Sequence, residues 1–456
     1  MTARPLALMA KSTTSSPAAG DTGPQLVRAV GLFGLIAISV NGVIGSGIFK
    51  LPATVAALMG PASPVAYLLA ALATTLVVLC FAEAGSRFER TGGPYLYARE
   101  AFGSFIGFEV GWLYLLTRMA AAAAISNALT SYLGYFWGPL GSGAGRIFAI
   151  TVLLFGLAWL NLLGIRYGAW TVNLLTAAKL IPLLLFICAG LFAVDHHAYT
   201  LLALPNSAGL RQASLILIFA FGGFENASVP SEEVRNPRTN LPIALVTSIT
   251  ITTLVYVLIQ IVALGTLPGL ATDETPLASA SRVFLGGGGA ALMTIGAVLS
   301  TTGSNSAVML VGPRILYAMG EGGQLPRVLA RIHPRYRTPY VSVILFAFVT
   351  WGLAVYGDFG QLVALSAIAR LVFSVTTCLA VPVLRRKMPL DESKFTLRGG
   401  ILIPVLAAGV SLWLLSGISR SQALGGLAAL AIGALLWQLF RVRSSSGAPD
   451  NGIRHE

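Results

Sequence analysis

Lys179 stands near the middle of NLLTAAKLIPLLLF (173–186), a run with no acidic residue. In a membrane-spanning helix a charge at that depth costs about 2.5–3.5 kcal/mol on insertion scales. Mid-depth is too far from either interface for the side chain to snorkel out. A lysine held away from water in this way is a candidate proton carrier, with a purely structural ammonium as the alternative. Four further ionisable residues sit in apolar surroundings: Glu109, Arg118, Glu225 and Arg370. Glu109 and Arg118 are half a turn out of phase on a helix and cannot pair with each other. Arg118 can pair with Glu225 or another acid, and an internal ion pair suits Arg370 better than substrate contact.

These residues need a scaffold, and composition names its class. The chain has 456 residues, of which 55% are hydrophobic and 10% charged. A soluble protein carries roughly 25% charged residues, so this surface does not face water. The expected fold is an all-α polytopic membrane protein. Strand-like alternation at ten-residue spacing, the mark of a transmembrane barrel, is missing. The three cysteines (Cys80, Cys188, Cys378) lie inside apolar runs and read as buried small hydrophobes. No GxSxG, HExxH, Walker or dinucleotide pattern occurs, which argues against an enzyme, and no cofactor or metal site is implied. His196 and His197 fall in a loop with no ligand cluster beside them.

A bilayer core about 30 Å thick needs ~20 apolar residues per helix. Runs of that kind predict twelve spans between residues 29 and 440. Residues 1–24 read as a flexible cytoplasmic tail, 25–195 as spans 1–5, 205–390 as spans 6–10, 396–442 as spans 11–12, and 443–456 as a second tail. If the N-terminus is cytoplasmic, most of the 30 Lys and Arg residues fall on the same side. Lys50, Arg146, Arg211, Arg282 and Arg420 fall outside. That is the positive-inside bias, with both termini in the cytoplasm. The net charge of +13 is therefore a topological device and a contact with membrane lipid, not a nucleic-acid footprint.

Two spans do not read as continuous. AVGLFGLIAISVNGVIGSGIFKLPATVAALMG (29–60) gathers Gly42, Gly45, Ser46 and Gly47 near its middle. LILIFAFGGFENASVPSEEVRNP (215–237) has Gly222 and Gly223, then Glu225, Asn226 and Pro230. Each Gly costs about 0.8–1 kcal/mol against Ala in a helix. Interruptions in the first span of each five-span block point to the binding site of an inverted-repeat transporter. Unwinding frees backbone N–H groups for a carboxylate and carbonyls for an ammonium, so a zwitterionic amino acid satisfies both. Close helix packing at small residues is the plainer alternative.

NGVIGSGIF (41–49), AEAGSRFERTGGPYLYAREAFG (82–103), FAFGGFENASVPSEEVRNPRTNLPIAL (219–245) and GPRILYAMGEGGQLP (312–326) together resemble the amino acid–polyamine–organocation superfamily of permeases, from about residue 28 to 440. The resemblance implies a LeuT-like fold: a five-plus-five inverted repeat with two extra C-terminal helices, spans 1 and 6 broken, and alternating access. By similarity the substrate carboxylate meets N–H groups at Gly45, Ser46 and Gly47. The ammonium meets carbonyls near Val43 and Ile44, and near Phe219, Ala220 and Gly222. Phe219 matches an aromatic lid and Tyr114 a gating tyrosine. Lys179 matches a lysine that replaces a coupling sodium ion in some proton-coupled relatives. Its expected neighbours are carbonyls near Gly42 and Val43 and the hydroxyl of Ser304. Glu225 matches a carboxylate that handles protons or substrate in some relatives and ties the unwound segment down in others.

The inferred pocket, with Phe219, Phe221, Gly222, Gly223 and Phe224, is apolar and small. A cationic substrate would want a free acid there, and Glu225 cannot serve if Arg118 holds it. The expected function is proton-coupled uptake of neutral amino acids across the plasma membrane, or the inner membrane of a bacterium. The alternatives are exchange of cationic amino acids or polyamines, and an amino-acid-sensing permease-like receptor. No obligate protein partner is expected, because all three cysteines lie in spans. The loop residues Glu232, Glu233, Arg235 and Arg238 read as solvated or as gate candidates.

Overall fold

A computed structural model of the chain describes residues 28–45, 47–199, 207–273, 275–357, 359–388, 395–418 and 420–445. Among these residues the structure is helical, with one isolated bridge between Val30 and Val234. The helices are α1 (Leu32–Val43), α2 (Gly47–Met59), α3 (Ser63–Gly85), α4 (Pro94–Phe102), α5 (Ser104–Phe136), α6 (Gly143–Leu162) and α7 (Ile165–Gly190). After them come α8 (Ser207–Ala220), α9 (Pro237–Thr266), α10 (Pro276–Glu321), α11 (Tyr340–Tyr356), α12 (Phe359–Lys387), α13 (Leu402–Leu415) and α14 (Arg420–Ser445). The expected tail 1–24 and most of the expected tail 443–456 lie outside the described residues, while α14 extends to Ser445.

Among the described residues, eight helical stretches are long and apolar enough to cross a membrane, from Gly47–Gly85 to Ala423–Phe440. Four shorter apolar helices accompany them: Leu32–Val43, Gly209–Ile218, Tyr340–Tyr356 and Leu402–Leu415. Large apolar side chains point outward along these helices, among them Phe148, Trp159, Trp170, Leu424 and Leu439. Water would penalise such a surface, and hydrocarbon does not. The chain is a polytopic membrane protein.

The polar groups go the other way. α10 packs along α7 and α5, α12 along α5, and α3 along α9. α1 lies among α7, α9, α10 and a short 3-10 turn at Phe224–Ser228. That centre holds the fully buried Lys179, Arg118, Glu225, Tyr114 and Tyr256. α13 and α14 pack on the outside, against α3, α12 and α5. Cys80 and Cys378 are buried, but Cys188 is exposed on the outer face of α7. The expectation of three buried thiols fails there, because an apolar residue in lipid gains little from facing inward.

Both glycine-rich segments are broken. α1 ends at Val43, Ile44 leaves the helix at φ −72° and ψ 88°, and α2 starts at Gly47. α8 ends at Ala220, and Gly223 takes φ +119°, a left-handed conformation that side chains disfavour. The two breaks touch. A Cβ on Gly42 would stand 2.7 Å from the Gly223 carbonyl oxygen, so only glycine lets the backbones meet.

Candidate functional site

The first break is a cluster of carbonyls met by donors from three other helices. Lys179 Nζ donates to the Asn41 carbonyl at 2.9 Å and to the Ile44 carbonyl. Ser304 Oγ lies 3.1 and 3.2 Å from the same two oxygens, with one proton to share between them. Ser300 Oγ, one turn earlier on α10, lies 3.2 Å from the Ile44 oxygen and 3.1 Å from that of Gly45. Tyr256 Oη, from α9, donates to the Val43 carbonyl at 3.0 Å and lies 3.4 Å from that of Ala220.

The last carbonyls of a helix lack intrahelical donors and carry partial negative charge. An ammonium placed against them is compensated without a carboxylate, and Lys179 is held in this way. The expected neighbours, carbonyls near Gly42 and Val43, are narrowed to those of the flanking residues Asn41 and Ile44. Residues three apart share one helix face, and that face is turned to α7. Val43 is turned to α9, and Gly42 to the second break. Gly42 is therefore a contact between the breaks, not a lysine partner. Ser304 shares the lysine's acceptors rather than bonding to it.

The second break is organised by an anion. Glu225 Oε2 accepts the Gly223 N–H at 2.8 Å. Its Oε1 accepts from Arg118 at 2.8 Å and from Arg370 Nε at 3.1 Å. Arg118 also donates to Asn226 Oδ1 at 2.9 Å, and Tyr114 Oη donates to the same oxygen at 3.2 Å. These two donors fix the orientation of the Asn226 amide. The Arg118 guanidinium lies 5.1 Å from the Tyr114 ring centre, a cation–π contact. Arg370 packs so closely on Gly222 that any Cβ there would overlap it. Ser39 Oγ, from α1, donates to the Phe224 carbonyl at 3.3 Å, a further tie between the breaks.

Of the other residues expected from sequence, Gly47 opens α2, whose first N–H groups have no intrahelical acceptor. Gly45 lies in the gap before it. Ser46 is outside the described residues, as is the side chain of Phe219. Ala220 and Phe221 are buried, and the Phe221 ring lies 5.1 Å from that of Tyr256. Asn41, Ser300 and Tyr256 escape the sequence reading. Ser300 could have been found, because it stands one helical turn before Ser304 and shares its face. Tyr256 offered a weaker sign, a lone phenol inside an apolar run.

One end of the bundle is tied together by backbone bonds and ion pairs. Ala29 and Val30 donate their N–H groups to the Glu233 carbonyl at 3.0 and 2.9 Å, and Arg235 N–H donates to the Val30 carbonyl at 2.8 Å. The Glu233 carboxylate is buried and paired with Arg314 of α10. Glu232 accepts the Thr91 N–H at 3.1 Å, and burial pushes its carboxyl above the ordinary range. The expectation of a solvated loop fails at Glu233. Arg28 and Arg238 reach Glu89 at 3.1 and 2.9 Å, and Glu83 holds Arg87 and Arg385 at 2.9 and 2.7 Å. Among the described residues no cluster of three or more His, Cys, Asp or Glu could hold a metal ion.

A family profile described as "Amino acid permease" matches residues 30–434. Three bacterial relatives, all from Bacillus subtilis (strain 168), are similar over most of their length. The methylthioribose transporter is 27% identical over 96% of this chain and 98% of its own. The branched-chain amino acid permease BcaP is 29% identical over 95% and 97%. The serine/threonine exchanger SteT is 29% identical over 86% and 91%. Two helices broken at touching glycines, one capped by a lysine and the other by a carboxylate, thus lie inside a match covering nearly all the spans. The chain belongs to the amino acid permease family, and it is a multi-pass membrane transporter of amino acids rather than an enzyme.

Proposed function

We propose that this protein is a proton-coupled importer of neutral amino acids. It would use twelve spans as a five-plus-five inverted repeat, residues 25–195 and 205–390, with two further helices in 396–442. Its place is the plasma membrane, the inner membrane in a bacterium, with both termini in the cytoplasm. The observation that carries the reading is the buried Lys179 ammonium on the Asn41 and Ile44 carbonyls at the first break. Protonated, Nζ ties α7 to the end of α1. Deprotonated, it loses its charge and one of its three N–H donors, and its hold on the Asn41 and Ile44 carbonyls weakens beside those of Ser300, Ser304 and Tyr256. A proton at this atom is thereby linked to the position of the helix that borders the substrate.

The substrate carboxylate would take the N–H groups at Gly45, Ser46 and Gly47, and the ammonium the carbonyls near Val43 and Ile44 and near Phe219, Ala220 and Gly222. Neutral side chains are favoured because Glu225 is committed to Arg118, Arg370 and the Gly223 N–H. No carboxylate of this cluster is left for the distal charge of a cationic substrate. The names of two relatives, a branched-chain amino acid permease and a serine/threonine exchanger, fit a neutral substrate.

The test is purified protein in liposomes with an imposed pH gradient, inside alkaline. Labelled leucine, serine, arginine, glutamate and methylthioribose would be offered in turn while internal pH is recorded. The expected result is accumulation of a neutral amino acid with matching internal acidification. Uptake that needs an internal amino acid and ignores the gradient would assign exchange instead. Accumulation of arginine alone would overturn the substrate class.

A further inference from the structure

Glu109 lies in the second turn of α5, about 7 Å along that helix at ~1.5 Å per residue. It is 7% exposed, and neither carboxylate oxygen has a hydrogen-bond partner among the described residues. The carboxylate rests against Gly433 of α14, close to Trp112. Trp112 cannot help it, because its indole N–H donates to the Ala429 carbonyl at 2.9 Å. A buried carboxylate without a partner is costly, and such groups in native proteins call for a ligand or a role. Glu109 takes no part in the two breaks, since Arg118 is turned to Glu225.

Glu109 also lines a cleft of about 410 Å³ between α5, α12 and α14. Its walls are apolar, including Phe105, Ile106, Val110, Val372, Leu430 and Ala434. The volume lies within the ~300–1,000 Å³ of small-molecule sites. The cleft sits on the membrane side of the bundle, under the peripheral α14, near the end that carries α4. An occupant that satisfies an ionised Glu109 would be apolar along its length, carry one positive charge, and donate hydrogen bonds. A metal ion lacks further ligands here, because no other acid, His or Cys lines the cleft. A quaternary ammonium has no N–H to donate.

We propose that this cleft is a lipid site, filled by an acyl chain of a primary-ammonium phospholipid, a phosphatidylethanolamine, whose headgroup nitrogen pairs with Glu109. The carboxylate turns toward the cleft to meet it, which supplies the missing partner with a charge-assisted hydrogen bond. The wall residues supply burial for the chain.

The test uses the full-length protein in detergent, incubated with equal amounts of phosphatidylethanolamine and phosphatidylcholine of identical chains. Retained lipid is counted by native mass spectrometry. The wild type is expected to keep the ethanolamine lipid about tenfold better. Glu109→Gln should keep both alike, and Leu430→Trp, which fills the cleft, should keep neither. Should either variant misfold, stepwise N-methylation of the headgroup reads the same pairing on the wild type, and retention should fall with each methyl. Equal retention of the two lipids by the wild type would overturn the proposal. So would an undiminished preference in Glu109→Gln, displacement of the lipid by free ethanolamine, or a cleft found covered by a second copy of the chain.

Discussion

The two helix breaks solve one backbone problem with opposite charges. At the first, carbonyls left free at the end of α1 receive an ammonium and three hydroxyls. At the second, an N–H left free beyond α8 receives a carboxylate, which two arginines then hold. In hydrocarbon each unmatched group would cost several kcal/mol. The cationic cap has no carboxylate partner among the described residues, so the proton transfer proposed for it would break no ion pair. The anionic cap is locked between two guanidinium groups. Under the proposed function the first break is the one that changes state, while the second is held in place by its ion pairs.

Three substitutions would break or sharpen that contrast. The largest effect is expected from Glu225→Gln, which leaves Arg118 and Arg370 buried with no anion between them. Removing one partner of a buried pair costs about 3–5 kcal/mol. Thermal unfolding in detergent should show that loss, with substrate binding lost alongside. A variant as stable as wild type would mean the second break is not locked by charge. Next is Lys179→Gln, which keeps a donor at the carbonyls but removes the titratable site. Gradient-driven accumulation should fall at least about tenfold, the rate effect of ~1.4 kcal/mol, while binding measured without a gradient persists. Undiminished pH-dependent accumulation in this variant would sink the proton assignment. The smallest effect is expected from Tyr256→Phe. It deletes one hydroxyl from the Val43 carbonyl, worth about 0.5–1.5 kcal/mol. A modest drop in unfolding temperature with uptake retained would place Tyr256 as support for the first break.

Much of this was legible in the residues themselves. Clustered glycines within apolar runs mark helix breaks because their cost there is local, and local costs can be read from sequence. Partners are another matter. Arg118 and Arg370 stand 107 and 145 residues from Glu225, and nothing near any of the three names the other two. The family resemblance brings Lys179 to the end of the first half-span, but does not say which carbonyls it takes. That choice depends on where α1 stops, and a shift of one residue turns a carbonyl by about 100° around a 3.6-residue helix. Glu233 looks like a loop acid because its neighbours are polar, yet Arg314 draws it inside from the far end of α10.

The pairing of Val30 with Val234 has a mechanical consequence. It joins the stretch leading into the first discontinuous helix to the stretch leaving the second, with Arg235 and Glu233 completing the stitch. Those two stretches cannot swing apart one at a time at that face of the protein. They must either travel as one rigid leaf or unzip together, so passage through that face would show a single threshold rather than a gradual widening.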